Sequence, residues 1–289
     1  MKKRIRLFIL LAGILMVSEG RSSTFTSFIS DYRNTLTGNF VLLLEEPDSL
    51  IYINGGFPAP LTNEILINHA GYTLSYNCTY RIANWVIYEL TSEETESKVK
   101  RKNRFIGDPF LDSCQVSPND YLRTGFDKGH LAPSADMCWS QQTMEESFYM
   151  TNMAPQKPGF NRGIWKNLED KTRDWAIENR MIVVISGPVL SDNLKTIGKS
   201  KVTVPKYFFK VIVDLAGAEI KGIAFVMPNK PSKSDIQSFA VSIDRVEQLT
   251  GLDFFFQLPE NAQSVIESDF DLNSWRWKGK PNISNEDDN

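Results

Sequence analysis

The sequence predicts a chain of mixed α and β character, on three observations. Short runs rich in aromatic and β-branched residues recur at 72–76, 85–90, 181–188, 202–204, 207–215 and 222–227. Two segments carry apolar residues at helical spacing instead. Turn-forming Gly, Pro and Asn punctuate the intervals between them. These runs are compatible with an α+β domain without selecting its architecture.

Taken in order, the chain begins with a basic segment, Lys2-Lys3-Arg4-Ile5-Arg6, followed by an eleven-residue apolar run from Leu7 to Val17 and small residues around Ser18-Glu19-Gly20. Residues 1–20 therefore read as a secretory signal peptide, since the apolar run is shorter than the about 20 residues that span a bilayer. The product is expected to be secreted or periplasmic. Residues 21–50 are mostly polar, with one apolar element at Phe40-Val41-Leu42-Leu43-Leu44, and read as an N-terminal arm. Gly55-Gly56-Phe57-Pro58-Ala59-Pro60 is a turn-rich opening to the main domain, expected over 51–275.

The runs at 72–76 and 85–90 form a strand pair around the segment 77–84, and 91–102 is a charged, solvated connector. His69, with no acidic or cationic neighbour in sequence, reads as structural. Ile164, Trp165, Leu168, Trp175 and Ala176 place a helix after Asn161. Met181 to Pro188 is a buried strand, and 202–204, 207–215 and 222–227 continue as strands. Residues 238–249 read as a second helix, with Ile243, Val246 and Leu249 as its apolar stripe. The end of the chain, 276–289, is an acidic tail expected to be disordered. There is no internal repeat and no low-complexity block.

Composition narrows the function classes. The 289 residues are 42% hydrophobic and 23% charged, ordinary for a globular chain with a sizeable core. Removing 1–20 takes four positive charges (Lys2, Lys3, Arg4, Arg6) and one negative (Glu19) from a formal net charge of −3, leaving −6. A strong non-specific nucleic-acid binder is usually basic, so any phosphate-binding surface is a local patch on an acidic body. Three cysteines cannot all pair within one chain. Export permits a disulfide, expected between Cys78 and Cys114, with Cys138 buried beside Trp139. No CxxC spacing suggests structural zinc.

The chemistry concentrates in Gly125-Phe126-Asp127-Lys128-Gly129-His130-Leu131-Ala132-Pro133, which holds one of only two histidines. An imidazole with a reference pKa of about 6.5 can accept a proton near neutral pH, and Lys128 sets a cation beside it that suits an anionic substrate. A loop histidine with Asp127 as a cap is the plainer reading. Asn161 follows 31 residues later near a helix start. Its amide oxygen suits a hard ion such as Mg²⁺, which keeps most of its waters, though a helix cap is the competing role. Glu169, eight residues on and about 12 Å along a helix, could reach water around such an ion, or pair with Arg173.

The string Asp127-Lys128-Gly129-His130 with Leu131-Ala132-Pro133, then Thr151-Asn152-Met153-Ala154-Pro155-Gln156, then Asn161-Arg162-Gly163-Ile164-Trp165-Lys166-Asn167-Leu168-Glu169, resembles the DNA/RNA non-specific endonuclease family of ββα-metal (His-Me finger) nucleases. The likeness extends to Gly71–Tyr76, Trp85-Val86, Ser186-Gly187-Pro188 and Val204–Lys210, covering about residues 55–258. It implies an α+β domain with a central mixed or antiparallel sheet, flanking helices and a ββα-metal motif. It further implies a Mg²⁺-dependent endonuclease, with Mn²⁺ able to substitute, acting on DNA and RNA.

In that family's terms His130 is the general base and Asn161 the one direct metal ligand. Glu169 holds metal-bound water, and Asn152 positions His130 or the phosphate. Arg104 contacts phosphate, and Asp127 orients the loop and the imidazole. The family's usual arginine before the glycine is Lys128 here, which keeps the charge but loses the planar fork. Members are often homodimers, so a homodimer is implied as well. No base-reading helix or aromatic stacking array is evident, and backbone phosphate contacts carry no sequence information, so little sequence selectivity is expected. Two rival readings share the scaffold: a nucleic-acid-binding surface protein with little catalysis, and a hydrolase of small phosphodiesters.

Overall fold

The computed structural model describes residues 57–278, apart from Asn63 and Ala218. The signal-peptide and arm assignments, and residues 279–289 of the expected tail, lie outside the described residues. Residues 1–51 and 52–289 form two separate units, and every described residue belongs to the second.

Eleven strands and four α-helices occur among the described residues, the first helix, α1, being Gln141–Glu146. Seven strands build one sheet in the order β1-β2-β3-β6-β9-β10-β11: β1 Ile65–Asn68, β2 Thr73–Asn77, β3 Ile82–Thr91, β6 Met181–Val189, β9 Tyr207–Asp214, β10 Lys221–Pro228 and β11 Ala240–Val241. Every pairing in it is antiparallel, so of the two arrangements expected, antiparallel is the one formed. The central strands are buried along nearly their whole length, because both faces are covered and side chains alternate between them.

One face carries Val86, Tyr88, Phe208 and Phe225 into the main core with helix α2 (Lys166–Asn179). There Trp175 stacks on Phe225, ring centroids 6.2 Å apart. The opposite face, with Trp85 and Phe209, is closed by Phe57 and Phe254 and by helices α3 (Ile243–Thr250) and α4 (Glu260–Glu267). Burying one large apolar side chain in such a core contributes about 1.5–3 kcal/mol.

The expected strands at 72–76, 85–90, 181–188, 207–215 and 222–227 all form. Residues 202–204 differ: Val202–Thr203 (β8) pairs with Thr196–Ile197 (β7) as a separate ribbon. The helix expected over 238–249 is shorter. Ala240–Val241 pairs with Phe225 and Ala224 of β10, so the chain enters as an edge strand. Ser242 then caps α3 by accepting from the Arg245 N–H at 3.2 Å, and Gly251 ends it at φ +72°. Packing continues past 275, with the Trp277 ring edge-on to Trp175 at 5.1 Å.

Cys78 and Cys114 are disulfide-bonded, and Cys138 is free and buried. His69 is buried as a structural residue, but it does have an acidic partner. Its Nε2 lies 3.0 Å from Asp108 Oδ2, a carboxylate 39 residues away that sequence proximity could not reveal.

Candidate active site

A second ribbon stands off the main sheet. β4 (Asp127–His130) pairs antiparallel with β5 (Met153–Gln156), matching Asp127 to Gln156 and His130 to Met153. A wide turn, Phe160–Trp165, leads from β5 into α2, its helical geometry broken at Gly163. β4 thus carries His130, the turn carries Asn161 and α2 carries Glu169. Gly129 is dictated by packing, since a Cβ there would lie 2.1 Å from Gln156 Oε1. The Gln156 side chain packs against that bare backbone, fully buried, with neither amide atom hydrogen-bonded among the described residues.

His130 is 8% exposed. The Phe148 ring stands perpendicular to it with centroids 5.0 Å apart, and Phe105 lies at 5.9 Å. Burial, and then the charge of Arg101, pull its pKa down to about 3, so the imidazole is neutral across the physiological range. Nε2 is sealed without a hydrogen-bond partner, which leaves Nδ1 as the nitrogen open to a water.

Asn152 is the clamp on this loop. Its Oδ1 accepts from the Ala132 N–H at 2.9 Å, and its Nδ2 donates to the Ala132 and Ser147 carbonyls, both at 2.9 Å. Both amide N–H groups and one lone pair of the oxygen thus go to backbone around the His130 loop.

Asp127 differs from expectation. It does not touch the imidazole. Its Oδ2 accepts from Asn161 Nδ2 at 3.0 Å, and Arg162 grips it with Nε to Oδ2 at 2.8 Å and Nη2 to Oδ1 at 2.7 Å. Asn161 is accordingly not a helix cap, since α2 begins only at Lys166. With Nδ2 spent on Asp127, its Oδ1 has no hydrogen-bond partner among the described residues, and an amide oxygen of this kind is a hard neutral donor suited to an ion.

Glu169 does not pair with Arg173. That guanidinium donates to Asp136 Oδ1 at 2.6 Å and to Asp170. The Glu169 carboxylate makes no hydrogen bond among the described residues. Burial pushes its pKa up to about 7, with Lys210 opposing the rise and Asp136 adding to it. Lys210 is itself buried in β9, donating to Ser186 Oγ at 2.6 Å, with burial drawing it down to about 8.

Lys128 lies on aromatic faces, its Nζ 4.7 Å from the Phe105 centroid and 5.7 Å from that of Tyr121, a placement that needs no planar fork. Arg104 is exposed and makes no hydrogen bond or ion pair among the described residues. A second exposed arginine, Arg101, lies beside the rings that flank His130. Its Nη1 donates to Ser134 Oγ at 2.6 Å, it lies 5.2 Å from the Phe148 centroid, and its charge acts on both His130 and Glu169. The sequence does not single it out, because Lys98, Lys100, Arg101, Lys102 and Arg104 form one basic run. Gln156 and Lys210 carry no sequence signal that sets them apart within their motifs.

A buried neutral imidazole and an oriented amide oxygen on a ββα unit define the class: this is a ββα-metal fold of the nuclease type. The model of the DNA/RNA non-specific endonuclease family matches residues 51–261. A nuclease from Nostoc sp. is 36% identical over 232 residues, covering 75% of this chain and 83% of the relative. Mitochondrial endonuclease G of Homo sapiens is 34% identical over 215 residues, covering 69% and 72% respectively. A crystal structure of an EndoG/EndoGI complex superposes with a TM-score of 0.68 at 31% identity, covering 75% of this chain and 95% of that one. The chain belongs to the DNA/RNA non-specific endonuclease family.

Proposed function

We propose that this chain is an exported, metal-dependent endonuclease that hydrolyses DNA and RNA with little sequence selectivity. The observation that carries the reading is that one strand, β4, holds both a neutral, buried His130 and the Asp127 that engages the Asn161 amide nitrogen, leaving the Asn161 oxygen unbonded among the described residues. Asn161 Oδ1 would be the one direct protein ligand and the Glu169 carboxylate would hold metal-bound water, an all-oxygen surrounding that suits Mg²⁺, with Mn²⁺ as a substitute. When bound, such an ion supplies positive charge beside the phosphate and its leaving oxygen.

The rest follows from the chain's own groups. As a water oxygen attacks phosphorus, His130 Nδ1 takes the water's proton. The bond from phosphorus to the leaving sugar oxygen breaks, and that oxygen takes a proton from solvent. A pKa near 3 makes His130 a weak base in the free protein, but the phosphodiester anion beside the ring favours the protonated form at the moment of transfer. Arg101 and Lys128 meet the non-bridging oxygens, while Asn152 keeps the loop in place. Export is supported by the basic and apolar N-terminal pattern and by the Cys78–Cys114 disulfide, a bond that persists in oxidising compartments. A homodimer belongs to the same proposal.

The test is cleavage of duplex DNA, single-stranded DNA and RNA, wild type beside His130→Ala, with Mg²⁺ titrated and EDTA as control. All three substrates should be cut, with cutting lost in EDTA and reduced about 10²–10⁴-fold in the variant. Plasmid bound but left intact in Mg²⁺ would favour the binding-protein reading. Cleavage of bis-nitrophenyl phosphate alone would favour the small-phosphodiester hydrolase.

A further inference from the structure

On the face of the sheet covered by α3 and α4, three carboxylates converge with no counter-charge. Asp244 and Glu247 lie three residues apart on α3, hence on one side of it, and Glu267 is the last residue of α4. One oxygen of each falls within 4.8 Å of the others. The charges acting on Glu267 are Glu247, Asp244 and Asp253, and those acting on Glu247 are Asp253 and Asp244. No lysine or arginine among the described residues pairs with any of these four.

A second observation separates this group from an ordinary acidic surface. Glu267 is only 6% exposed, and its Oε1 is sealed from solvent with no hydrogen-bond partner among the described residues. A buried carboxylate left unpaired is costly unless a proton or a cation satisfies it. Nor can the side chain be carried away by its backbone. Gly222 of β10 is so closely covered that a Cβ there would lie 2.5 Å from the Ile266 carbonyl of α4 and 2.9 Å from Ile243 Cδ1 of α3. Both helices are therefore seated where their carboxylates meet. The partial negative charge at the α4 C-terminus adds to the same potential. On the remaining side, Glu247 Oε1 is fixed by the Phe254 N–H at 2.6 Å.

We propose that Asp244, Glu247 and Glu267 form a structural divalent-cation site, suited to Ca²⁺ and separate from the Asn161 centre. Ca²⁺ takes several carboxylate oxygens at about 2.3–2.6 Å, so one ion can bridge oxygens spaced as these are. Mg²⁺ prefers shorter bonds and retained waters. The ion ties α3 to α4 across the back of the sheet, and it acts on stability rather than on the reaction.

The experiment is thermal unfolding of the full chain, freed of metal with EDTA and returned to buffer with excess Mg²⁺ to load the Asn161 centre, then titrated with CaCl₂. Glu267→Gln and the half-exposed Asp244→Asn are run in parallel. The wild type should show a saturable rise in Tm of about 3–10 °C, half-maximal near 10⁻⁴–10⁻³ M. Both variants should lose that rise while keeping wild-type nuclease activity. A wild type with no rise above the Mg²⁺ background, or variants that both retain it, would overturn the proposal. So would stabilisation on acidification from pH 8 to 6 with Ca²⁺ adding nothing at either pH, because protons would then be the occupant.

Discussion

Asp127→Ala removes the acceptor that turns Asn161. In the native site the Asn161 Nδ2 donates to a carboxylate at 3.0 Å, and a hydrogen bond to a charged group is worth about 1.5–3 kcal/mol. If that contact is what presents Oδ1, its loss allows the amide to rotate. At 1.36 kcal/mol per factor of ten, kcat/KM should fall about 10–150-fold. The metal concentration giving half-maximal rate should rise with it. Asp127 also pairs with Arg162, but that side chain is 72% exposed, and exposed pairs contribute about 0–1 kcal/mol. Arg162→Ala should therefore cost no more than about fivefold and leave the metal requirement unchanged. Asp127→Asn keeps one acceptor oxygen and should fall between the two. The assay is initial-rate cleavage of plasmid DNA across a Mg²⁺ series, with Tm recorded to confirm folding. A folded Asp127→Ala within threefold of wild type, at unchanged metal half-saturation, would refute the reasoning.

Three further expectations follow from the same geometry. Arg101→Ala should lose more kcat/KM than Arg104→Ala, because only Arg101 lies against the rings that flank His130; equal losses in parallel assays would count against that assignment. On the proposed mechanism, with His130 neutral above about pH 3, the acid limb of kcat/KM should belong to Glu169, whose carboxyl is pushed up to about 7 and would need to be ionised to hold metal-bound water. Rates should thus rise with pH through about 7. Because the Lys210 cation opposes that elevation, Lys210→Met should move the limb to higher pH, as a pH–rate profile would record. Replacing both Cys78 and Cys114 with Ser opens a loop closed across 36 positions, which chain entropy values at about 4 kcal/mol; denaturant unfolding should show a lower midpoint at constant m-value.

Much of this protein was written locally. The strands at 72–76, 85–90, 181–188, 207–215 and 222–227 announce themselves because β-branched and aromatic residues crowd into runs too short and too buried for helices. The helix after Asn161 was legible from its period, and the His130 and Asn161 blocks from residue type and spacing alone. What local pattern could not carry was partnership over distance. Which of five cations in 98–104 lies beside the imidazole, and that Asp127 holds Asn161 rather than His130, depend on side chains meeting across 29 and 34 positions of chain. The same holds for His69 with Asp108, for residues 240–241 closing the sheet's edge, and for the meeting of Glu247 with Glu267. Propensity is a property of neighbours in sequence, whereas charge pairing and burial depend on neighbours in space, and only the folded chain supplies those.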